Sequence, residues 1–300
     1  MFKKIYFLSM LIFTTNSFAK MIVTTTIYPL YSIAKAVGDE SIVLNNLIPF
    51  GVEAHSFDPK PSDMTKLSNS DIFITSGNLM EPWKDKIVKA LKIEDKVFDM
   101  SNHVKLREIS EHNNENDKHE HKHESNIDPH YWVSLNNYIL MTKAITKLFI
   151  EKDPENKHIY SKNSDNYLQK IEVLKDKYDS NLRNCTNKKI LVNHDAFGYF
   201  AQEYDVKQYS ISGLTPDSKP SAKVISELIN LVKNEKINTV FFEEFASPKV
   251  AQAIAKETGA IAQALRPAEN ISKNENKRSY GYLEIMEDNL EKLKYAMNCN

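Results

Sequence analysis

Glycine is scarce, with seven in 300 residues. None of them falls in a G-x-G-x-x-G or G-x-x-x-x-G-K-[ST] pattern, so the backbone cradles that hold dinucleotide and nucleotide phosphates are missing. Cysteine is scarcer still, with two residues, Cys185 and Cys299. That is too few for a small disulfide knot, and without a C-x-x-C pair neither redox catalysis nor a thiolate zinc finger is supported. Charge of one sign is also lacking: 39 basic against 40 acidic side chains give a formal charge of −1. No global basic field exists to hold a polyanion, so nucleic acid is not an expected partner. Long apolar runs are absent beyond the stretch Ile5 to Phe13, which falls short of the roughly 20 residues that span a bilayer.

What remains is an ordinary folding composition, 41% hydrophobic and 26% charged, in a length that suits one large or two ordinary domains. The N-terminus carries Lys3 and Lys4, the apolar stretch, and the small-residue ending Ser17-Phe18-Ala19. This is the pattern of a secretory signal peptide over residues 1–19. No cysteine follows the apolar run, so the expectation is a soluble protein of the periplasm, released by cleavage, without a lipid anchor and without stable membrane insertion. In that oxidising compartment two lone thiols pair more often than they stay free, so a Cys185–Cys299 disulfide is expected.

The pattern after the leader is β-strand alternating with α-helix. Met21 to Tyr28 is β-branched and is followed by a helix from Pro29 that stops at Gly38. Strands are expected near 41–48 and 71–75 and helices near 61–68 and 81–91, which makes a first α/β lobe over residues 20–152. A second lobe, 185–300, repeats the alternation, with strands near 189–193, 206–211, 239–242 and 260–264 and helices near 197–204, 221–234, 248–258 and 282–297. Between them, Asp153-Pro154 reads as a capped helix start. No proline or glycine follows until past Leu182, and Tyr160, Tyr167, Ile171, Leu174 and Tyr178 recur at helical spacing. One long helix, residues 153–184 and roughly 42 Å at 1.5 Å per residue, is expected to join the lobes and restrict hinge motion. The expected architecture is therefore two α/β lobes, each with a mostly parallel sheet flanked by helices, and a binding site in the cleft between them.

The histidines are placed where such a cleft would use them. His194 leaves the carboxyl end of a strand, where open α/β sheets bind ligands. His55 follows the strand ending near Ile48. His130 sits in Asp128-Pro-His-Tyr-Trp132, with Pro129 stiffening the backbone and Asp128 available to orient the ring. Taken singly each could equally be a satisfied surface histidine, but three imidazoles together make a zinc-grade site. A separate segment, Glu111 to Asn126, holds five acids, two lysines and His112, His119, His121 and His123 with no apolar residue. It cannot pack, so it reads as a mobile loop, either a solvated insert or a weak metal-collecting arm. His103 and His158 have no motif around them and read as surface residues. Trp132 and Phe197 read as cleft packing, and Asp195 as a helix cap.

The blocks Ala54-His-Ser-Phe-Asp-Pro-Lys-Pro-Ser-Asp63, Asp128-Pro-His-Tyr-Trp-Val133 after the His/acid-rich loop, His194-Asp-Ala-Phe-Gly-Tyr-Phe200 and Phe242-Glu-Glu-Phe-Ala-Ser-Pro-Lys249 resemble the zinc and manganese solute-binding proteins of ABC importers, most of all the ZnuA-type zinc binders. The resemblance covers the mature chain in order. It implies two lobes on one rigid helix, metal ligands at His55, His130 and His194, and a monomeric receptor, not an enzyme, that delivers Zn²⁺ to a membrane permease driven by a separate ATPase. A manganese or other divalent-metal receptor, or a zinc hydrolase built on three histidines, is the alternative. Many relatives add an aspartate from a Leu-Asp-Pro motif, where this chain has Leu265-Arg266-Pro267. Arginine cannot ligate a metal, so the fourth position is expected to fall to water, Glu53, Glu243 or Glu244, the last two reading equally as partners of Arg266 or caps of the helix that starts near Pro248.

Overall fold

The computed structural model describes residues 19–109, 126–215, 220–278 and 280–299. Nearly all of the expected leader and of the His-rich segment lies outside them. The first lobe runs β1 (Met21–Thr25), α1 (Tyr28–Gly38), β2 (Ile42–Asn46), α2 (Pro61–Ser68), β3 (Ile72–Thr75), α3 (Lys84–Leu91) and β4 (Val97–Asp99). Two helices follow, α4 (Leu135–Lys152) and α5 (Lys157–Asn181). The second lobe runs β5 (Lys189–Val192), α6 (Gly198–Tyr204), β6 (Lys207–Ser210), α7 (Ala222–Asn234), β7 (Thr239–Phe242), α8 (Lys249–Thr258), β8 (Ile261–Ala264), α9 (Lys273–Lys277) and α10 (Tyr282–Ala296).

Each lobe holds a four-stranded, all-parallel sheet, ordered β2-β1-β3-β4 in the first and β6-β5-β7-β8 in the second. The shared order puts a switch of direction beside β1 and β5, and at such points the carboxyl ends of strands open into a crevice. Local sequence explains the elements. Pro29 occupies the first turn of α1, where its missing N–H costs nothing. Asp63 accepts the Lys60 N–H at the start of α2, and Ser134 accepts the Asn137 N–H to cap α4. At Gly38 an added Cβ would lie 2.4 Å from the Ile42 side chain, so only glycine lets β2 turn back so tightly after α1.

Two local expectations are corrected. Asp153 does not cap the long helix. Its carboxylate accepts Asn156 and Tyr160 side chains instead, and a short 3-10 turn, Pro154–Asn156, precedes α5. Asp195 caps nothing; it accepts the Gln208 amide, and Phe197 stands at the N-cap of α6. Helix α4 has no counterpart in the sequence reading. It is buried over much of its circumference between α1 and α5, so it lacks the single apolar stripe by which amphipathic helices are recognised.

The two lobes share one apolar core. Ile33 of α1, Tyr138 of α4, Ile171 of α5, Ile190 of β5 and Ile285 of α10 all belong to it. Helix α10, last in the chain, returns across the cleft: Tyr282 stacks on Tyr138 with ring centroids 3.6 Å apart, and Tyr178 of α5 donates its hydroxyl to Met286 O at 2.6 Å. An apolar core that runs through both lobes resists bending because any hinge motion must separate packed surfaces.

Cys185 and Cys299 are joined, closing a separation of 114 residues and fastening the C-terminal end beside the entry to β5. Replacing both by serine is expected to cost up to roughly 5 kcal/mol by chain entropy, lowering Tm by roughly 8 °C in calorimetry. Zinc stoichiometry should be unchanged, because the bridge precedes β5 whereas His194 follows its far end.

Candidate metal centre

Four loops converge between the lobes. His55 lies between β2 and α2, His130 ahead of α4, His194 beyond β5, and Glu269 beyond β8. The three expected histidines are thus brought together, with a carboxylate that the sequence reading did not name. Nε2 of His130 lies 3.3 Å from Nε2 of His55 and 3.2 Å from Nε2 of His194. Oε1 of Glu269 lies 3.3, 3.5 and 3.6 Å from Nε2 of His55, His130 and His194. A tetrahedral ion held at about 2.0–2.1 Å from four donors requires donor separations of roughly 3.3–3.4 Å. Five of the six separations, 3.2 to 3.6 Å, lie close to that spacing, and all four atoms fall within 4.8 Å of one another. Three imidazole nitrogens facing one another this closely cannot all be satisfied by mutual hydrogen bonds, whereas a cation at their centre satisfies every lone pair.

The outer atoms of the rings are held as well. His130 directs Nδ1 to Asp128 Oδ1 at 2.9 Å, and Asp128 also accepts the His130 backbone N–H at 3.0 Å. His194 directs Nδ1 to Glu243 at 2.5 Å. Such carboxylate partners fix which nitrogen faces the metal and make it a better donor. Glu53 accepts the backbone N–H groups of His55 and Ser56 and so shapes the His55 turn. Ala268, just before Glu269, has φ of 62°, a left-handed conformation that costs energy at any residue other than glycine. Next to it, Asn270 donates to the carbonyls of Pro49 and Val52, so the segment carrying Glu269 grips the loop carrying His55.

The expected fourth donors are corrected accordingly. Glu53 is engaged with the turn, Glu243 supports His194 from behind, and Glu244 pairs with Arg266 at 2.7 Å. Arg266 continues to Glu275 at 2.7 Å, so it is neutralised rather than aimed at the histidines. Glu269 instead stands beside the three imidazoles as a candidate fourth donor. One sequence signal could have found it: it is the only carboxylate between Glu257 and Glu275. Trp132 and Phe197 are buried as expected, the indole donating to Pro267 O at 2.8 Å across the lobes. His103 and His158 are exposed, the former stacked on Phe98.

Electrostatics match a cation trap. Burial works against charge on His194, but Glu243 and Glu269 outweigh it and raise its pKa to about 10. Burial likewise opposes charge on His55, and Glu269 again prevails and raises it. Burial would raise the Glu269 carboxyl, yet the neighbouring imidazoles hold it well below the usual range. Without metal the centre therefore stores protons as a substitute for positive charge. A recess of about 30 Å³, lined in part by Glu53, Glu243, Glu244, Arg266 and Glu269, adjoins it.

Comparison with known proteins places the chain among zinc-uptake proteins. The family described as zinc-uptake complex component A, periplasmic, matches residues 23–296. The high-affinity zinc uptake system protein ZnuA of Bacillus subtilis is 36% identical over 93% of this chain and 88% of its own length. The zinc-binding lipoprotein AdcA of Streptococcus pneumoniae is 32% identical over 92% of this chain, which spans 55% of that relative. The crystal structure of the Zn(II)-bound ZnuA-like domain of Streptococcus pneumoniae AdcA superposes with a TM-score of 0.79 at 30% identity, covering 93% of this chain and all of that one. The resemblance drawn from four short motifs therefore extends along the whole alternation of strands and helices, and the chain belongs to the family of periplasmic zinc-uptake complex component A proteins.

Proposed function

We propose that this protein is the zinc receptor of an ABC importer. It captures Zn²⁺ as cargo with His55, His130, His194 and Glu269 between its lobes and passes it to a membrane permease driven by a separate ATPase. The observation that carries this reading is the convergence of three imidazole nitrogens and one carboxylate oxygen within 4.8 Å of one another, a zinc donor set. Family membership and zinc-binding relatives support the same cargo. The carboxylate in the fourth position argues against a zinc hydrolase, which needs that position for water. Export by the leader 1–19 is part of the proposal. Some relatives are named lipoproteins, whereas both cysteines of this chain are taken up in one disulfide and neither thiol is available for acylation.

The test is competitive titration of metal-free mature protein with Zn²⁺, Mn²⁺, Cu²⁺ and Ni²⁺. One tight zinc equivalent, together with growth failure on zinc depletion in a deletion strain that excess zinc restores, is the expected result. Tight binding of Mn²⁺ in preference to Zn²⁺ would overturn the assignment of cargo.

The His-rich segment is expected to be dispensable for that tight equivalent. Its flanks already pair, with Ile109 N–H donating to Asn126 O at 2.6 Å and Glu108 bridging to Ile127. Replacing residues 110–125 by a two-residue Asn-Gly turn therefore demands little of the backbone. The shortened protein should keep its tight equivalent and lose only weaker ones, as counted by equilibrium dialysis. Loss of the tight equivalent would place a ligand within the segment.

A further inference from the structure

We propose that Arg107 is a positioning residue for the metal centre, acting on His130 through Asp128. The proposal rests on His130 being a ligand. Nη1 of Arg107 donates to Asp128 Oδ2 at 2.8 Å, and the other oxygen of that carboxylate holds His130 Nδ1 at 2.9 Å. Asp128 is almost completely enclosed, with 1% of its side chain exposed, and among the described residues Arg107 is the only partner of Oδ2. A carboxylate gripped on one oxygen alone can still turn about its side-chain bonds, and the imidazole resting on it turns too. With both oxygens held, ring and carboxylate are fixed as one unit. The carboxylate behind His194 has no such cation: Glu243 contacts the imidazole, and no arginine or lysine pairs with it among the described residues. His130 is thus the ring whose direction is locked most firmly.

The lock is built from both lobes. Tyr199 of α6 accepts the Arg107 backbone N–H at 2.9 Å and donates to Asp128 O at 2.8 Å, pinning together the two segments that flank the His-rich stretch. The adjacent Gly198 leaves the space in which the ion pair lies: an added Cβ would fall 2.3 Å from Arg107 Nη1 and 2.6 Å from Asp128 Oδ2. Glycine is needed there for room rather than for backbone freedom. A methyl group arriving from the second lobe should therefore disturb the same unit that loss of the guanidinium disturbs.

The experiment measures Zn²⁺ affinity by chelator competition, and the visible spectrum of the Co²⁺-loaded protein, for the full mature chain and for Arg107→Met, Arg107→Lys, Gly198→Ala, Asp128→Asn and the Arg107→Met/Asp128→Asn pair. Arg107→Met and Gly198→Ala are expected to weaken zinc binding by about 10- to 100-fold, the range for partners that orient a ligand, and to alter the Co²⁺ bands. Arg107→Lys, which can still donate to Oδ2, should recover most of the affinity and the parent spectrum. The paired variant should bind no more weakly than Asp128→Asn alone, because both changes break one chain of contacts. Unchanged affinity and spectrum in Arg107→Met, even with a lowered unfolding temperature, would overturn the proposal, as would full additivity in the pair. If His130→Ala binds zinc as the parent does, the ligand assignment itself falls and takes this proposal with it. If His130→Ala loses zinc while Arg107→Met does not, only the role of Arg107 falls.

Discussion

Glu269→Gln is expected to weaken Zn²⁺ binding by about a hundredfold or more while the protein still folds. Four-ligand structural zinc sites bind with about 10–16 kcal/mol in total, so one donor of four is worth roughly 3 kcal/mol, or about two powers of ten. Glutamine keeps an oxygen of similar size but removes the charge that lies 3.3 to 3.6 Å from three Nε2 atoms. Folding is not at stake in the same way. The backbone carbonyl of Glu269 still accepts the Tyr28 N–H at 2.9 Å, and Asn270 still holds the Pro49–Val52 turn. Glu244→Gln and Glu53→Gln serve as controls, since those carboxylates face Arg266 and the His55 turn. Their affinities should stay within a few-fold of the parent protein. Chelator competition decides the matter: parent-like binding by Glu269→Gln, with loss in either control, would mean that the fourth donor has been misplaced.

The second large effect is a steep fall of zinc affinity with falling pH. Zinc takes only neutral imidazole, so every proton resident in the empty site must leave on binding. His194 in the metal-free protein keeps its proton up to about pH 10, while Glu269 stays ionised. Below about pH 10 at least one proton is therefore displaced, and affinity should fall by at least roughly tenfold for each unit of acidification. His55 is also raised above its ordinary value, so once that ring is protonated too a second proton is displaced and the fall steepens further. Calorimetric titration in buffers of differing ionisation enthalpy counts the protons directly. A flat affinity from pH 7.5 to 5.5 would exclude a site built from these imidazoles.

The same shifts govern the metal-free protein with a definite sign. His194 is more basic folded than unfolded, so its pairing with Glu243 and Glu269 stabilises the fold fully below the unfolded value of 6.5. That contribution is lost as pH rises toward 10. Zinc takes over as the positive charge in that range, and the rise in Tm on adding zinc should grow with pH. Scanning calorimetry with and without metal between pH 6 and 9 measures this difference.

How far the centre could be read from the chain differs from residue to residue. His130 announces itself through Asp128 and Pro129, because the group that orients the ring is only two residues away. His194 is found from the end of a strand, since open sheets collect ligands there. Glu269 carries no such local mark. It comes from a coil segment whose direction depends on Ala268 adopting a left-handed backbone, and its neighbours in space are 75 or more positions distant along the chain. Helix α4 was illegible for a related reason: a helix buried on most sides has no polar face to give its period away.

Composition, strand–helix alternation and histidine placement were enough to point to two parallel α/β lobes, the long helix and three of the four residues of the candidate centre, because these follow from local period and short-range spacing, while the pairing of the two cysteines followed from the oxidising compartment. Only the tertiary structure decided that Glu269 stands beside the three imidazoles, that Glu243 and Asp128 stand behind the rings, and that Arg266 is spent on Glu244 and Glu275. Those choices depend on which long-range loops share the space between the lobes, and a carboxylate near one histidine in sequence has no advantage over a distant one once folding has brought both within a few ångströms of the same point.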